Sequence, residues 1–437
     1  MTDIALVGAE AVLVDAEVSA GAAVVIRDGM VVEAPGAPGA QTVDVSGCVV
    51  TPGLVNAHHH LLQSAFRSGP TTRFLPMRDW LARMSERYTA ARVDPELTAA
   101  AAAVGLAESL LCGVTTVADH HLTWPADQNP AELAGATIDA ARRLGARLAF
   151  VRGTARDDPD AAAQSVVDIH DTHLPDAARG VSADGMIQLA VGPSGVHADG
   201  PETFAALTEV AGRLGLRRRT QANEQIDVAI AAERYGRRPL ELLEDWGWLA
   251  EDVTVAHLCE ITDAELDRVA RSGASATHAP ACDVPMAWGV ARVAALRAAG
   301  VATGLGTSGG GSNDAGHLLA DARLAMQISG LVGEPVSARE CLAMATEGSA
   351  QGLGRPELGH LRPGAAADLC VWDCSDVFDA GAPDPIDGLL WAGPGRRPRD
   401  VMVGGRWVVC DGVLLTADSR TLARDLTTLL GSRATSR

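Results

Sequence analysis

The chain carries three consecutive histidines, His58-His59-His60, at the end of an apolar run that begins at Thr51. Successive side chains of a β-strand point to opposite faces, so a strand here places His58 and His60 on one side and His59 on the other. Two imidazoles on the same side can hold one metal ion together. Taken alone, the pattern is equally compatible with incidental polar residues. Its value as a sign of a metal site depends on the elements around it.

Apolar stretches that alternate with helical stretches surround the other histidines. Strands are predicted, in chain order, at residues 113–119, 147–152, 186–192, 218–223, 253–257, 274–278 and 302–306, and residues 130–144 predict a helix. Alternating strands and helices imply a parallel sheet, and about eight such units favour a closed barrel over an open sheet. We therefore predict the α/β class and a (β/α)₈ TIM barrel. Chemistry in such barrels takes place at the carboxyl ends of the strands, where this chain places its histidines.

The two ends of the chain have a different pattern. Short β-branched runs are separated by turn signals, among them Asp28-Gly29 and Asp411-Gly412. We expect both ends to form one small β-sandwich together. The predicted domains are residues 1–51 for the first part of the sandwich, 52–363 for the barrel, and 364–437 for the second part of the sandwich and a C-terminal tail.

The charge and composition exclude several classes of partner. A formal net charge of −19 disfavours nucleic acid and anionic membranes, because a basic patch would have to form against the overall field. A small uncharged or cationic substrate fits this charge better. The eight cysteines are dispersed, which is typical of buried thiols in a reducing compartment. The sequence shows no secretory signal pattern and no long apolar segment, so we expect a cytoplasmic protein.

Several motifs follow one another along nearly the whole chain. They are Pro52-Gly53 to His60 with Leu61-Leu62-Gln63; Thr115-Thr116-Val117-Ala118-Asp119-His120-His121; Ala256-His257; Thr277-His278-Ala279-Pro280; Ser312-Asn313-Asp314; and Gly359-His360-Leu361-Arg362-Pro363-Gly364 with Ala367-Asp368-Leu369. In this combination the chain resembles the amidohydrolase superfamily, specifically its branch of nucleobase deaminases, 8-oxoguanine deaminases and s-triazine hydrolases. The combination is far more specific than any single motif.

The resemblance implies a barrel with one divalent metal ion, usually zinc, which lowers the pKa of a bound water molecule. The resulting hydroxide adds to a ring carbon, and ammonia or another leaving group departs. His58 and His60 match the first-strand ligands, and His257 matches the sixth-strand histidine near the hydroxide. Glu224 matches the carboxylate that moves protons, and His278 matches a seventh-strand histidine that contacts the substrate.

Two positions depart from the family pattern. Gln221 stands where the family has a fifth-strand histidine ligand, and Ser308 stands where it has an eighth-strand aspartate. An amide oxygen and a hydroxyl are poorer zinc ligands than imidazole and carboxylate. A serine also needs an activating group before it can act as a base. The catalytic set carried over from the family is therefore Glu224, His257, His278 and the altered position Ser308.

Three hypotheses are compatible with these changes. In the first, His58, His60 and His257 bind zinc, and Glu224 is the general base. Gln221 then contacts the ligands and does not bind the metal itself. In the second, Glu224 and a histidine perform acid–base chemistry without a metal. In the third, the barrel only binds a heterocycle.

The expected function is hydrolysis of a cyclic C–N bond, by a deaminase or aminohydrolase that acts on a purine, pterin or triazine-like ring. Removal of a halide, metal-free ring opening and a catalytically inactive ligand-binding barrel are the alternatives. The expected partner is a small heterocyclic substrate, and the expected assembly is a homo-oligomer, with a homodimer as the simplest form.

Four residues are predicted to bind the substrate: Gln63, Trp80, His121 and Gln221. Gln63 matches a position that hydrogen-bonds the substrate ring. Trp80 could stack on a flat heterocycle, although core packing is equally compatible. Because neighbours on a strand face opposite sides, at most one of His120 and His121 points inward, and we choose His121.

His197 could reach the site from a loop, and a structural role is also compatible with its position. The glycine-rich stretch from Ser308 to Ser312 lacks the ending of a phosphate-binding loop, so it indicates close approach of a substrate. The histidines expected at the surface or in structural roles are His170, His173, His317 and His360.

Overall fold

The computed structural model describes residues 3–15, 23–33 and 39–435. Its strands are β1 Ile4–Val7, β2 Ala11–Val12, β3 Val24–Arg27, β4 Met30–Val32, β5 Gln41–Asp44, β6 Cys48–Pro52, β7 Leu54–His60, β8 Val114–His121, β9 Arg147–Thr154, β10 Ile187–Pro193, β11 Arg217–Ala222, β12 Val253–His257, β13 Ser275–His278, β14 Thr303–Leu305, β15 Ser308–Gly309, β16 Leu369–Asp373, β17 Asp400–Val403, β18 Arg406–Cys410 and β19 Val413–Leu414. Its α-helices are α1 Met77–Ala91, α2 Pro95–Leu111, α3 Pro130–Leu144, α4 Pro159–His173, α5 Pro201–Leu214, α6 Gln225–Tyr235, α7 Pro239–Asp245, α8 Asp263–Ser272, α9 Pro280–Asp283, α10 Val293–Ala298, α11 Leu318–Ser329, α12 Ala338–Ala343, α13 Ser349–Gly352, α14 Pro385–Trp391 and α15 Ser419–Thr435.

The central sheet is a closed parallel barrel. Its strand order runs from β14 down to β7 in sequence, and β15 continues it on the other side of β7. β15 pairs in parallel with β7 through Ser308 and His59, so β14 and β15 together are one interrupted eighth strand. The interruption includes Gly306, where an added Cβ would lie 2.6 Å from the carbonyl oxygen of His58. The predicted (β/α)₈ barrel is confirmed.

The helices on the outside of the barrel begin and end where the sequence supplies caps. In α3, the side chain of Asn129 accepts a hydrogen bond from the backbone N–H of Ala131, and Pro130 occupies the first turn. The helix ends at Gly145, which has a φ of 75°. A left-handed residue at this position is most easily supplied by glycine. The helix predicted over residues 130–144 therefore forms between signals that can be read from the sequence.

Two smaller sheets pack together beside the barrel. One contains β4, β3, β1 and β5, and the other contains β19, β18, β17, β16, β6 and β2. The second sheet combines strands from both ends of the chain, as predicted. Buried residues from the two sheets form one hydrophobic cluster that includes Leu6, Ile26, Val50, Val371 and Met402. The predicted joint β-structure is thus present among the described residues.

The last segment of the chain returns to the barrel as a helix. Arg433 of α15 lies 2.8 Å from Asp94 and 3.2 Å from Glu96 at the start of α2. Leu426 of the same helix packs in the cluster that contains Trp80. The domain limits of 51/52 and 363/364 stay a prediction. Within the described ranges, no helix is long and apolar enough to cross a membrane.

Candidate active site

A cavity of about 680 Å³ opens at the carboxyl ends of the barrel strands. Its polar lining includes His60, Gln63, His120, His121, Ser194, His197, Gln221, Glu224, His257 and Ser308. Its apolar and aromatic lining includes Leu62, Met77, Trp80, Met84, Tyr88, Trp124 and Trp288. Apolar walls with a few converging polar groups are typical of sites for small molecules.

His60 and His257 line this cavity, and His58 packs against both of them; we call these three residues the histidine floor. The ring of His58 lies 4.9 Å from the ring of His60 and 5.1 Å from that of His257, between centroids. His58 is only 1% exposed, yet neither of its ring nitrogens has a hydrogen-bond partner among the described residues. Buried polar atoms without a protein partner are rare, and two such nitrogens on one imidazole are suited to binding an ion or a water molecule. The three histidines predicted as metal ligands are thus brought together.

His58 and His60 are neutral in this environment. Burial, with help from neighbouring histidines, lowers the pKa of His58 well below its ordinary value, and burial lowers the pKa of His60 to about 4. Nδ1 of His60 donates a hydrogen bond of 2.7 Å to the carbonyl oxygen of His120. This bond leaves a lone pair on Nε2 of His60, which is the form of imidazole that binds metals.

A buried arginine lies beneath the floor. Arg219 precedes Gln221 by two residues on β11 and therefore faces the same side of the strand. Its guanidinium donates to the carbonyl oxygen of Ala57, and burial lowers its pKa to about 9. Its charge adds to the effect of burial in lowering the pKa of His58 and His60. The arginine therefore helps to keep both imidazoles unprotonated.

His257 is held between two acceptors. Its Nδ1 lies 2.8 Å from the carboxylate of Asp283, and its Nε2 lies 3.1 Å from Oε1 of Gln221 and 3.7 Å from Glu224. Burial alone lowers the pKa of His257, but the carboxylates of Asp283 and Glu224 raise it to about 9. The Nε2 position can therefore hold either a proton or a cation. A hydrogen bond from Nδ1 to a carboxylate is the usual way in which a protein orients a metal-binding histidine.

Asp283 was not identified by sequence reasoning. It lies in the short helix α9 after the seventh strand and is fully buried. Besides His257, it lies 3.5 Å from Nδ1 of His278. The only signal in the sequence was a carboxylate five residues beyond His278, and that spacing has no meaning until the loop geometry is known.

Gln221 points its amide oxygen toward the floor. Its Nε2 donates a hydrogen bond of 3.0 Å to the carbonyl oxygen of Ser194, and this bond directs Oε1 toward His257. Bare imidazole nitrogens of the floor and one amide oxygen thus converge, and nitrogen and oxygen donors of this kind suit a divalent cation such as zinc. The residues present fit such an ion, although the amide is a weaker ligand than histidine.

Glu224 stands next to the floor at the N-terminal end of α6. The residue is 1% exposed, and its Oε2 has no hydrogen-bond partner among the described residues. Burial raises the pKa of this carboxyl group to about 7, against the opposing effect of His257. A group with such a pKa can take up and release a proton near neutral pH.

Ser308 lines the cavity, and among the described residues no hydrogen bond joins its hydroxyl to a basic side chain. The thiol of Cys282, close to this loop, donates a hydrogen bond of 3.1 Å to the hydroxyl of Ser312. Burial raises the pKa of that thiol well above its ordinary value, so the thiol stays protonated. A protonated thiol cannot remove the proton of a serine, and Ser308 therefore contributes a neutral hydroxyl to the cavity wall.

Gln63 and Trp80 lie on the cavity wall and are tied to the glycine-rich loop. Oε1 of Gln63 accepts a hydrogen bond of 3.0 Å from the backbone N–H of Gly311, and Nε1 of Trp80 donates one of 3.3 Å to the carbonyl oxygen of the same residue. The ring of Trp80 lies 5.3 Å from that of Trp288. The glycine-rich loop thus supports the wall, and both predicted substrate-binding residues face the cavity.

The structure differs from the prediction at the second strand. His120, and not His121, lies against the floor, with its ring 5.9 Å from the rings of both His58 and His60. His121 lines the cavity farther out, with its ring 4.7 Å from that of Trp124. Both histidines line the cavity, so the expectation that at most one of them points inward is wrong at this strand end, while the predicted contact of His121 with the substrate stays a prediction.

His278 is 1% exposed and is not among the described residues that line the cavity. Its Nδ1 lies 3.5 Å from Asp283, and as in His58 neither ring nitrogen has a hydrogen-bond partner among the described residues. Its predicted contact with the substrate stays a prediction. Other histidines have structural partners, as predicted: Nδ1 of His317 accepts from the backbone N–H of Ala320, and Nε2 of His173 donates to the carbonyl oxygen of Ala131.

A closed barrel with histidines on its first and sixth strands and a buried carboxylate after the fifth defines a barrel hydrolase. The sequence pattern of the amidohydrolase family matches residues 49–408, and the chain belongs to this family. The predicted resemblance, and with it an amidohydrolase-type hydrolase of C–N bonds, is confirmed.

Individual relatives span the same architecture. The chain is 34% identical to 8-oxoguanine deaminase of Pseudomonas aeruginosa, over 91% of this chain and 92% of the relative. It is 32% identical to hydroxydechloroatrazine ethylaminohydrolase of a Pseudomonas species, over 88% of this chain and 83% of the relative. It is similar to the crystal structure of atrazine chlorohydrolase from Arthrobacter aurescens in complex with zinc, with a TM-score of 0.90, 33% identity, and coverage of 98% of this chain and 100% of that chain.

Proposed function

We propose that this protein removes an amino group from a flat nitrogen heterocycle by adding water to the ring carbon that carries it. The observation that carries the proposal is the buried carboxyl group of Glu224, placed 3.7 Å from His257 beside the histidine floor. The similarity to a deaminase of 8-oxoguanine and to an ethylaminohydrolase of a triazine supports this reaction class.

The proposal includes a divalent cation, zinc in the first instance, held by His58, His60 and His257 with the amide oxygen of Gln221. When bound, such a cation lowers the pKa of a water molecule and polarises the ring. The unpartnered nitrogens of His58 and the zinc complex of the related chlorohydrolase support this assignment. Asp283 would fix the ring of His257 and supply negative charge near the cation.

The residues of the chain would then divide the work. Glu224 accepts the proton of the attacking water and delivers it to the departing amine, while the new C–O bond forms and the C–N bond breaks. Its pKa of about 7 makes both transfers feasible at neutral pH. Gln63 and Trp80 hold the ring against the cavity wall. Water and the amino compound are consumed, and ammonia and the hydroxy compound are released; the hydroxy compound becomes the oxo form when its proton moves to the ring nitrogen.

A second candidate differs only in the leaving group. Displacement of chloride from a ring carbon uses the same addition of water, and the similarity to an atrazine chlorohydrolase favours testing it. Metal-free chemistry by Glu224 and a protonated His257 is the other alternative, because Nε2 of His257 already faces Gln221 and Glu224.

The experiment is a screen of aminopurines, aminopterins, aminotriazines and chlorotriazines with zinc-loaded and chelator-treated protein. Ammonia and chloride release are measured separately. We expect ammonia release that depends on zinc and falls by about 10³-fold in Glu224→Gln. Glu209→Gln, at an exposed position of α5, is the matched control and should keep the parent activity. Equal activity of Glu224→Gln and the parent would contradict the proposal.

A further inference from the structure

A buried histidine–aspartate pair stands beside Glu224 on the cavity wall. His197 follows β10 in a loop, and Asp227 lies in the first turn of α6. Nδ1 of His197 lies 2.6 Å from Oδ1 of Asp227, and the same oxygen accepts from the backbone N–H of His197 at 3.3 Å. Asp227 is completely buried, whereas His197 lines the cavity.

The backbone is shaped to permit this pair. Gly195 has a φ of +146°, and a Cβ at this position would lie 2.7 Å from Oδ1 of Asp227 and 2.8 Å from Nδ1 of His197. The preceding residue, Ser194, is held by the hydrogen bond from Gln221. The loop is therefore fixed to β11 on one side and to α6 on the other, and glycine is required between the two attachments.

The geometry is that of a hydrogen-bonded pair and not of a second metal site. His197, Glu224 and Asp227 offer ligand atoms within 4.8 Å of one another, as a metal site would. However, the 2.6 Å contact between His197 and Asp227 is the length of a charge-assisted hydrogen bond. Because Nδ1 is turned toward buried Asp227, the opposite edge of the ring, with Nε2, faces the cavity.

Asp227 determines the orientation and the protonation of the His197 ring, and therefore whether Nε2 can donate a hydrogen bond. A carboxylate that accepts from Nδ1–H orients the imidazole and stabilises its protonated form, as in catalytic His–Asp pairs. Burial alone lowers the pKa of His197, but Asp227, with smaller effects of Glu224 and Asp199, raises it above its ordinary value. The 2.6 Å contact with a buried carboxylate and this direction of the pKa both favour the protonated imidazole, in which Nε2 also carries a hydrogen and can donate into the cavity.

We propose that His197, oriented by Asp227, is a further catalytic residue, whose Nε2–H donates to the ring atom that gains negative charge when water adds. This inference rests on the proposed hydrolysis and specifies its substrate class. Addition of water to a ring C=N bond moves the electron pair to the ring nitrogen, or to an oxo group conjugated with it. A fixed donor at that atom stabilises the transition state more than the ground state. The substrate is therefore a ring with an acceptor, either a bare nitrogen or an oxo group, next to the reacting carbon.

The kinetic test compares His197→Gln and Asp227→Asn with a matched surface pair. His170 and Asp171 form an exposed pair of 2.9 Å, so His170→Gln and Asp171→Asn are the controls. We expect His197→Gln to lower kcat about 100-fold with little change in KM, because a donor to the developing charge is lost. Asp227→Asn should give a smaller decrease, and added imidazole should restore part of the activity of His197→Gly. Parent kcat in folded His197→Gln overturns the inference, even if the enzyme is an active deaminase.

A binding measurement keeps the inference testable if no heterocycle is hydrolysed. Uric acid is an anion at neutral pH, with negative charge spread over its ring nitrogens and oxo groups, and it has no amino group to lose. It therefore resembles the charged ring more than a neutral substrate does, and its binding to the parent protein and the variants can be followed by calorimetry. We expect its dissociation constant to rise at least tenfold in His197→Gln and to stay unchanged in His170→Gln. An equal dissociation constant in the parent and His197→Gln overturns the inference. Inactivity of the parent alone overturns the proposed function, and the binding result then decides the role of His197.

Discussion

Buried polar groups have different surroundings at the two ends of the barrel. We call the end where the strands begin the base, and the end where they finish, with the cavity and the histidine floor, the mouth. At the base, Arg147 at the start of β9 lies 2.7 Å from Asp368, and Asp368 also accepts from the backbone N–H of Gly404 at 2.7 Å. At the mouth, both ring nitrogens of His58 and one oxygen of Glu224 have no partner among the described residues. The base thus joins the barrel to the terminal sheets with satisfied charges, whereas the mouth keeps polar atoms ready for a ligand. Stability at one end and chemistry at the other is the usual division in such barrels.

The largest effect is expected at the mouth. His58→Asn removes a floor histidine and should lower kcat/KM more than about 10³-fold, because a metal ligand contributes to both the nucleophile and the charge balance. The melting temperature of the metal-free protein should change little, since His58 makes no hydrogen bond that the substitution could break. Kinetics with zinc present and calorimetric unfolding without it measure the two quantities. A large loss of stability in the metal-free variant would break the contrast between mouth and base.

The base should respond in the opposite manner. Arg147→Met leaves the buried carboxylate of Asp368 without its counter-charge, which costs about 3–5 kcal/mol of unfolding free energy. Denaturant unfolding measures this loss. Activity per folded molecule should stay near the parent value, because Arg147 lies at the far end of the strands from the cavity. A selective loss of kcat in folded Arg147→Met would show that the base also supports the chemistry.

A smaller effect, on zinc affinity, is expected at Asp283, which contacts the proposed ligand His257. Asp283→Asn keeps the shape of the side chain but weakens the hydrogen bond that orients His257, and such changes typically reduce metal affinity about 10–100-fold. Zinc affinity can be measured by competition with a chromogenic chelator. Unchanged affinity would mean that Asp283 only fills space behind His257 and His278.

The smallest effect is an increase in zinc affinity, and it is expected at Gln221 and Ser308, where the chain departs from the family pattern. Gln221→His combined with Ser308→Asp supplies better zinc ligands, and we expect zinc affinity to rise about tenfold or more. The same chelator competition checks this, with each single substitution as a control. No gain in the double variant would show that these positions do not face the cation.

The architecture and the location of the site could be predicted from the sequence. The barrel strands formed within a few residues of the predicted ranges, since periodicity and caps are local signals. His58, His60, His257 and Glu224 were found because they follow strands that end at the same side of the barrel. The contacts of these residues could not be predicted, because they depend on loop conformation and strand twist.

Three contacts in the site could not be predicted from local sequence patterns. Asp283 reaches His257 through the turn of α9, and Asp227 reaches His197 from the next unit of the barrel. Both His120 and His121 line the cavity, and the contact of His120 with the histidine floor depends on how the end of β8 is oriented in the barrel. Each contact involves residues far apart in sequence or a small rotation, and neither leaves a pattern in a single chain.

The central claim is that the histidine floor holds a divalent cation that the chemistry requires. Zinc binding to chelator-treated protein, followed by calorimetry with ammonia release measured on the same samples, tests it most directly. We predict one zinc ion bound per chain, with activity that rises in proportion to occupancy and no such binding in His58→Asn. Full activity in protein that neither contains nor binds a metal ion would contradict the claim and favour acid–base chemistry by Glu224 and His257 alone.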